Sequence, residues 1–353
     1  MNKKIVRSYA ITFGLVILTY LFCLYYLDHG MSRAMKGQLI PICSYVVMAL
    51  SLNLVVGVSG ELSLGHAGFM SVGAFSGVIV SGWMLNGLAI ESESLRLLAA
   101  IVGGGVCAGV AGFLIGIPVL RLRGDYLAIV TLAFGEIIKS LINCLWVSVD
   151  GQGLVFGFNN NNVPGKILIN GPQGAVKVQK IATFGAGFLL IIFALIVIMN
   201  LVHSRSGRAI MALRDNRIAA ESVGIPVTKY KMMAFVTSAV LAGMAGALYG
   251  LNFSSVSAAK FKFDTSILVL VFVVLGGIGN IRGSIIAAAL LTVLPELLRA
   301  FSDYRMVVYS LLLIIVMIFK PSGLFGTYDF SLRRIIERVY GMVAPLRYKK
   351  EDE

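Results

Sequence analysis

Three ionisable side chains stand inside long apolar stretches of the sequence, where they could do chemistry or bind a polar solute. His66 lies near the start of a run rich in glycine and serine, and Glu136 and Lys139 are three residues apart in another apolar run. Ionisable groups at membrane depth commonly serve transport pathways, so His66 and Glu136 are candidates for a substrate pathway. Two alternatives stay open: His66 could hydrogen-bond between helices, and Glu136 and Lys139 could satisfy each other on one helix face.

Two hydrolytic motifs can be compared with the sequence, and neither predicts an enzyme. The segment from Gly57 to Gly60 reads G-V-S-G and resembles the nucleophile signature of rhomboid-type intramembrane proteases, whose serine needs a histidine base within hydrogen-bond reach. His29 falls on the opposite side of the membrane in the topology predicted below, and His203 opens a long basic loop. No G-x-x-x-x-G-K-[ST] phosphate loop is present, because Ile167 follows Lys166 where Ser or Thr is needed. We therefore predict neither proteolysis nor ATP hydrolysis by this chain.

The composition is that of a membrane protein. Of the 353 residues, 58% are hydrophobic and 13% are charged, and the mean hydropathy is +0.88, whereas soluble domains carry about 25% charged residues. The net charge of +13 would suggest nucleic-acid binding in a soluble protein. Here the basic residues lie in short connections between apolar runs, where the orientation of membrane loops explains them. The four cysteines lie in apolar stretches without a C-x-x-C pair, so we expect no disulfide, no metal site and no cofactor.

Apolar runs long enough to cross a membrane, about 20 residues in a helix, predict an all-α polytopic bundle with about ten spans. The segments that would face the cytoplasm hold 19 Lys and Arg and the opposite segments hold 10, which places both termini in the cytoplasm. We divide the chain into a tip with the first span (1–36), a core (37–325) and a basic cytoplasmic tail (326–353). The predicted spans are residues 9–27, 38–57, 63–85, 95–119, 126–149, 181–202, 231–250, 265–280, 283–301 and 305–320.

Small residues recur at every fourth position in two of the predicted spans. Such stripes let helix backbones approach closely in lipid, where the hydrophobic effect does not drive helices together. We therefore expect both spans to pack against neighbouring helices through these stripes. The stripes are Gly104, Ala108, Gly112 and Gly116 in one span and Ser238, Ala242, Gly246 and Gly250 in the other.

The longest basic connection, residues 203–231, is patterned in a way that indicates local structure. Asp215 is expected to cap a short helix over residues 216–223, and Gly224 followed by Pro226 is expected to end it. A helix this short is marginal in water by itself, so the pattern favours a segment that docks onto a partner. A solvated connector that lies on the membrane is the alternative.

Four segments resemble the branched-chain amino-acid permeases of ABC importers, in the order expected of that family and over most of residues 40–325. The resemblance implies an ABC importer permease fold in the bacterial plasma membrane. It also implies translocation of leucine, isoleucine, valine or close analogues, with no covalent chemistry on this chain. The segments are residues 53–69 (N-L, then G, then S-L-G-H-A-G-F), 121–137 (R-L-R-G-D-Y-L-A-I-V-T-L-A-F-G-E-I), 204–225 (S-R-S-G-R-A-I-M-A-L-R-D-N, then A-A-E-S-V-G-I) and 276–283 (G-G-I-G, then G).

The same resemblance implies partners and site residues. The partners are a homologous second permease, two cytoplasmic ABC ATPase subunits, an extracytoplasmic substrate-binding protein and membrane lipid, with no nucleic acid. The candidates for coupling to the ATPase are Asp215, Asn216, Arg217, Ala219, Ala220, Glu221 and Gly224. The candidates for the substrate pathway are Asn53, Ser63, Gly65, His66, Thr131 and Glu136.

The chain departs from the family in its predicted external loop, residues 150–180. A Thr-Gly-Gly type of turn is expected there, and the sequence instead has D-G-Q-G at 150–153 and four asparagines at 159–162. The substrate therefore stays open, because relatives of this class carry urea or short amides. The alternative from another class is an ion-coupled secondary transporter or channel. It would need a relay of buried charges, for which the sequence offers only Glu136 and Lys139.

Overall fold

The chain folds into a bundle of long helices with one small sheet, as seen in a computed structural model that describes residues 3–29, 33–122, 124–150, 153–158, 165–298, 304–320 and 323. Helix α2 continues into a π-helix, Leu54–Ser59, which is wound more loosely than an α-helix. The α-helices are α1 Lys3–His29, α2 Arg33–Asn53, α3 His66–Asn86, α4 Glu93–Val119, α5 Asp125–Asn143, α6 Phe184–His203, α7 Arg205–Asp215, α8 Arg217–Ser222, α9 Val227–Gly250, α10 Phe263–Gly276, α11 Ile281–Leu297 and α12 Arg305–Phe319.

Several of these helices have the length and composition of membrane spans. Within the described residues, five helical segments are long and apolar enough to cross a membrane, namely Met35–Ser59, His66–Asn86, Glu93–Val119, Phe184–His203 and Val227–Gly250. Three shorter apolar helices accompany them, at Thr12–Tyr25, Phe263–Gly276 and Val307–Phe319. The prediction of a polytopic helical membrane protein is therefore confirmed.

Helices α3, α4 and α9 form the centre of the bundle, and their packing depends on residues with little or no side chain. A Cβ atom on Gly246 of α9 would lie 2.0 Å from the carbonyl oxygen of Met70 on α3. One on Gly104 of α4 would lie 2.8 Å from the carbonyl oxygen of Gly73. These backbones are closer than any side chain permits, which is the packing expected where lipid surrounds the helices.

The other stripe residues face the same helix crossings. Ala108 and Ala242 are fully buried, and Ser238 is buried and donates its hydroxyl hydrogen to the carbonyl oxygen of Ser51 at 2.6 Å. A Cβ atom would meet Ala239 at Gly112, Met232 at Gly116 and Ala74 at Gly250, at distances of 2.5, 2.7 and 3.0 Å.

A three-stranded antiparallel sheet lies between α5 and α6, so the all-α prediction is wrong for this part of the chain. Strands β1 Trp146–Asp150, β2 Gly153–Gly157 and β3 Lys166–Asn170 pair in the order β2-β1-β3. The predicted fifth span, residues 126–149, is wrong at its end, because α5 stops at Asn143 and β1 follows it.

The predicted span 126–149 was too long because the sequence stays apolar where the helix ends and the strand begins. Val147 and Val149 of β1 are both buried, and β-branched side chains of this kind favour a pleated strand over a helix. The sheet packs on the C-terminal end of α3, where a Cβ on Gly82 would lie 2.6 Å from a methyl carbon of Leu168. The sheet therefore lies at the end of α3 opposite to His66.

Candidate coupling segment and polar core

The connector between α6 and α9 holds two short helices, α7 and α8, of which the sequence predicted only the second. Ser204 starts α7, since its hydroxyl oxygen accepts a hydrogen bond from the Gly207 amide at 3.0 Å. Gly207 allows α7 to fold tightly back on α6, because a Cβ there would lie 2.1 Å from the Leu201 carbonyl oxygen. Ile210 and Leu213 are buried. Helix α7 is therefore fixed to the bundle.

Asn216, and not Asp215, caps α8. The Asn216 side-chain oxygen accepts a hydrogen bond from the Ala219 amide at 3.1 Å, and Asn216 has the extended backbone that an N-cap requires, with φ −152° and ψ 103°. Asp215 is the last residue of α7, and one of its carboxylate oxygens accepts two hydrogen bonds from Arg214, at 3.0 and 2.9 Å. The predicted cap is wrong because the helical backbone of α7 continues through Asp215.

Helix α8 is held by one face and exposes the other. Ala220 is only 4% exposed, whereas Ile218 is 80% exposed and Val223, directly after the helix, is 76% exposed. Arg217 and Glu221 form an ion pair at 2.8 Å with the i,i+4 spacing that supports a short helix. Exposed apolar side chains grouped in this way are suited to a protein partner.

The end of α8 depends on a residue without a side chain. Gly224 has a φ of +84°, and no atom would meet a Cβ added there, so the requirement is conformational and not steric. Ala219 is also exposed. We call Ile218, Ala219 and Val223 the α8 surface.

Asn53 joins the end of α2 to the turn between α10 and α11. Its side-chain oxygen accepts a hydrogen bond from the Gly279 amide at 2.9 Å, and its buried Nδ2 has no hydrogen-bond partner. A Cβ on Gly57, in the π-helix, would lie 2.4 Å from the Gly279 nitrogen. Asn53 therefore stands beside a close backbone contact between the π-helix and the α10–α11 turn. Short π-helical segments frequently occur at functional sites.

His66 links three helices of the core. It is buried, and its Nε2 lies 2.8 Å from the Ser51 hydroxyl oxygen on α2 and 3.4 Å from that of Ser238 on α9. The Ser51 hydroxyl donates to the Met48 carbonyl oxygen at 2.8 Å, which favours Nε2 as the donor to Ser51 and leaves Nδ1 as an acceptor. Nδ1 is buried without a hydrogen-bond partner. In this structure His66 therefore makes hydrogen bonds between helices, as one of the two alternatives from the sequence stated.

Three further pathway candidates meet where the segment before α3 crosses α5. Thr131 is 3% exposed, and its hydroxyl oxygen accepts a hydrogen bond from the Leu64 amide at 3.1 Å. Gly65 packs on the same residue, because a Cβ there would lie 2.0 Å from the Thr131 carbonyl oxygen. Ser63 is 1% exposed, and its hydroxyl oxygen has no hydrogen-bond partner. Within this subunit, Gly65 and Thr131 join the segment before α3 to α5.

Glu136 stands apart from that cluster, on the outside of α5. It forms an ion pair with Lys139, and the two side chains are 39% and 20% exposed. Glu136 also borders a groove of about 360 Å³ together with Ile137, Ser140 and Cys144. A charged pair at the depth of a membrane is costly against lipid, so this face of α5 is suited to water or to another protein.

Two charged contacts were missed by sequence reasoning. Lys231, counted as part of the basic connector, forms a largely buried ion pair with Glu61, 170 positions away. Arg96, at the start of the predicted span 95–119, is 1% exposed and donates a hydrogen bond to the Gln179 side chain at 2.7 Å. No local pattern connects residues so far apart. Among the described residues, no group of three His, Cys, Asp or Glu could hold a metal ion.

The glycine-packed bundle of apolar helices, its interlocked polar core and its exposed connector helix are those of a multi-pass membrane protein. Residues 35–318 match the family described as "Branched-chain amino acid transport system / permease component", and the chain belongs to this family. It is a permease component of the bacterial inner membrane.

Named relatives resemble the chain over most of its length. The high-affinity branched-chain amino acid transport system permease proteins LivM of Salmonella typhimurium and Escherichia coli are each 35% identical over 314 residues, covering 79% of this chain and 67% of the relative. The corresponding protein BraD of Pseudomonas aeruginosa is 27% identical over 303 residues, covering 84% of this chain and 96% of the relative. No solved structure matches the chain.

Proposed function

We propose that this permease is the membrane-spanning subunit of an ATP-driven ABC importer for branched-chain amino acids or close analogues. The observation that carries the proposal is the α8 surface, a short apolar helix face that is 80% exposed at Ile218 although it belongs to an ordered connector. Such a face is suited to a protein partner. Because the chain has no phosphate-binding loop of its own, the partner would supply the ATP hydrolysis. The names of the relatives support the substrate class.

In the proposed mechanism, closure of two cytoplasmic ATPase subunits on ATP moves α8, and the bundle alternates between outward and inward access. The coupling requires that substrate and nucleotide each bind the two states unequally. A homologous second permease supplies the other half of the pathway, and an extracytoplasmic binding protein delivers the substrate.

Co-isolation followed by transport tests this function. The permease is expressed with its candidate ATPase, second permease and binding protein, and is purified through a tag on the permease. We expect the ATPase to co-purify and leucine uptake into proteoliposomes to require both ATP and the binding protein. Uptake that follows an ion gradient without the ATPase would contradict the proposal, and inhibition of uptake by urea or acetamide but not by valine would contradict the substrate class.

We propose that the outer face of α5 lines the translocation pathway, opposite the second permease. The support is the Glu136–Lys139 pair, which needs water or protein around it, and the groove beside it. The outer face of α4 provides the contrast, because the exposed Leu98, Val102 and Val106 there are apolar and suit lipid.

Thiol labelling distinguishes a water-lined face from a lipid-facing one. We expect a variant whose only cysteine is Ile137→Cys to react with a membrane-impermeant maleimide about tenfold faster than a matched variant that keeps only native Cys107, on the exposed face of α4, since the reactive thiolate does not form in lipid. Bound substrate should slow labelling at position 137. If the two cysteines were labelled equally slowly in the assembled complex, the assignment of the α5 face to the pathway would be contradicted.

We propose about ten spans with both termini in the cytoplasm, supported by the excess of Lys and Arg on that side. Lys180 precedes α6 and Lys229 lies in the first turn of α9, and both are exposed. In intact cells, Lys180→Cys should react with an impermeant maleimide and Lys229→Cys should react only after the membrane is opened. Reaction of both from the same side would contradict this topology.

A further inference from the structure

We propose that Arg214 is a positioning residue that transmits movement of the ATPase-docking helix to the polar core of the permease. The proposal rests on the proposed function, because it assumes that α8 docks on an ATPase. Arg214 stands at the end of α7, next to α8, and its side chain leaves the connector to reach the bundle.

The first step of the connection is a hydrogen bond at the end of the π-helix. Arg214 Nη1 donates to the Gly57 carbonyl oxygen at 2.8 Å. Carbonyl groups in the last turn of a helix lack partners within the helix, and a cation is favoured at this end. The guanidinium therefore holds the end of the π-helix through the Gly57 carbonyl oxygen, which lacks a partner within the helix.

The second step is close packing around the same turn. Gly60 ends the π-helix with a φ of +74°, and a Cβ there would lie 2.5 Å from Arg214 Cγ. Asp215 orients the guanidinium by accepting hydrogen bonds from its Nε and Nη2. The aliphatic stem of Arg214 thus lies against the turn while its planar head is fixed in two directions, which suits arginine and not lysine.

The third step leads from this turn into the core. Gly57 touches Gly279 in the turn between α10 and α11. Residues 60–65 run from the Gly60 turn to the start of α3, where the Leu64 amide donates a hydrogen bond to Thr131. The ion pair between Glu61 and Lys231 ties this segment to α9. A displacement of α7 would therefore reach the α10–α11 turn, the start of α3 and helix α9. The contacts that connect them are close backbone contacts and one ion pair.

The experiment uses the complete importer with Arg214→Ala, Arg214→Lys and, as a control on the same helix, the exposed Arg208→Ala. We expect Arg214→Ala to bind the ATPase as the wild type does and to hydrolyse ATP, but to transport about tenfold fewer substrate molecules per ATP, in line with the coupling changes known for connecting residues. Arg214→Lys should be intermediate and Arg208→Ala unchanged.

Distance measurements give a readout that a purely structural role would not change. Spin labels at Leu62 and at the exposed Arg208 of α7 are each paired with one at Lys180, at the far end of the bundle. Nucleotide should change both distances in the wild type, and only the Arg208 distance in Arg214→Ala. Wild-type transport per ATP, or an unchanged Leu62 response, in Arg214→Ala would overturn the proposal. Failure of the proposed function would be seen separately, as absent ATPase binding by the wild-type permease.

Discussion

Replacing Gly246 with leucine is expected to abolish assembly of the permease. The Cβ atom alone would lie 2.0 Å from the Met70 carbonyl oxygen and 2.8 Å from its carbonyl carbon, and both atoms belong to the backbone of α3. A side chain can rotate away from such a clash, but a helix backbone must move as a whole. Overpacking of a core typically costs about 1–3 kcal/mol, and a backbone contact in the centre of the bundle should cost at least the upper part of that range.

The measurement is the yield of monodisperse permease in mild detergent, together with its thermal unfolding. Gly246→Ala should already lower the midpoint, because the clash involves the first side-chain carbon. Gly37→Leu in α2 is the matched control, since nothing lies within 4 Å of a Cβ at that position and the residue is exposed. Normal yield and stability of Gly246→Leu would show that α3 and α9 do not cross at this point.

The sequence was informative where one local pattern determines one contact surface. The fourfold spacing of small residues around Gly246 predicted close helix packing, and the structure places Gly246 against the backbone of α3. The Gly224–Pro226 pattern predicted the end of α8, because a left-handed residue followed by proline cannot continue a helix. These features depend on residues adjacent or nearly adjacent in the chain.

Elsewhere the same local information was insufficient. Hydropathy could not separate helix from strand after Asn143, because leucine, tryptophan and valine satisfy both in an apolar setting. The cap of α8 was shifted by one residue, since Asp215 and Asn216 are both good capping residues and only the extent of α7 decides between them.

The candidate site shows the same limit. His66 was identified as a polar residue in a span, but its partners Ser51 and Ser238 come from two other helices. Arg214 carries no signal of its own in a connector that has several basic residues, and its contact with Gly57 joins positions 157 apart. The chemistry of a residue type can be read from the sequence, whereas its partner depends on the fold.

Two substitutions at α8 are expected to abolish substrate-stimulated ATP hydrolysis and uptake together. Ala219→Trp places a large side chain on the exposed α8 surface, where a docked ATPase would have to make room for it. Gly224→Val forces a β-branched residue to a φ of +84°, at a cost of about 1–2 kcal/mol or more, so that α8 no longer ends in its native turn. Both variants should insert and bind the substrate-binding protein, because those properties depend on the spans and the opposite end of the bundle.

Matched variants separate docking from general damage. Gly224→Asn should keep most activity, because asparagine tolerates the left-handed conformation that valine does not. Val110→Trp puts the same bulky side chain on the exposed face of α4 and should be silent. Ala220 is unsuitable for a bulky probe, since it is buried within the permease itself. ATP hydrolysis and uptake are measured on one reconstituted preparation of each variant. If Ala219→Trp and Gly224→Val both gave wild-type values, α8 would be a solvated connector, and the main structural support for coupling to an ATPase would be lost.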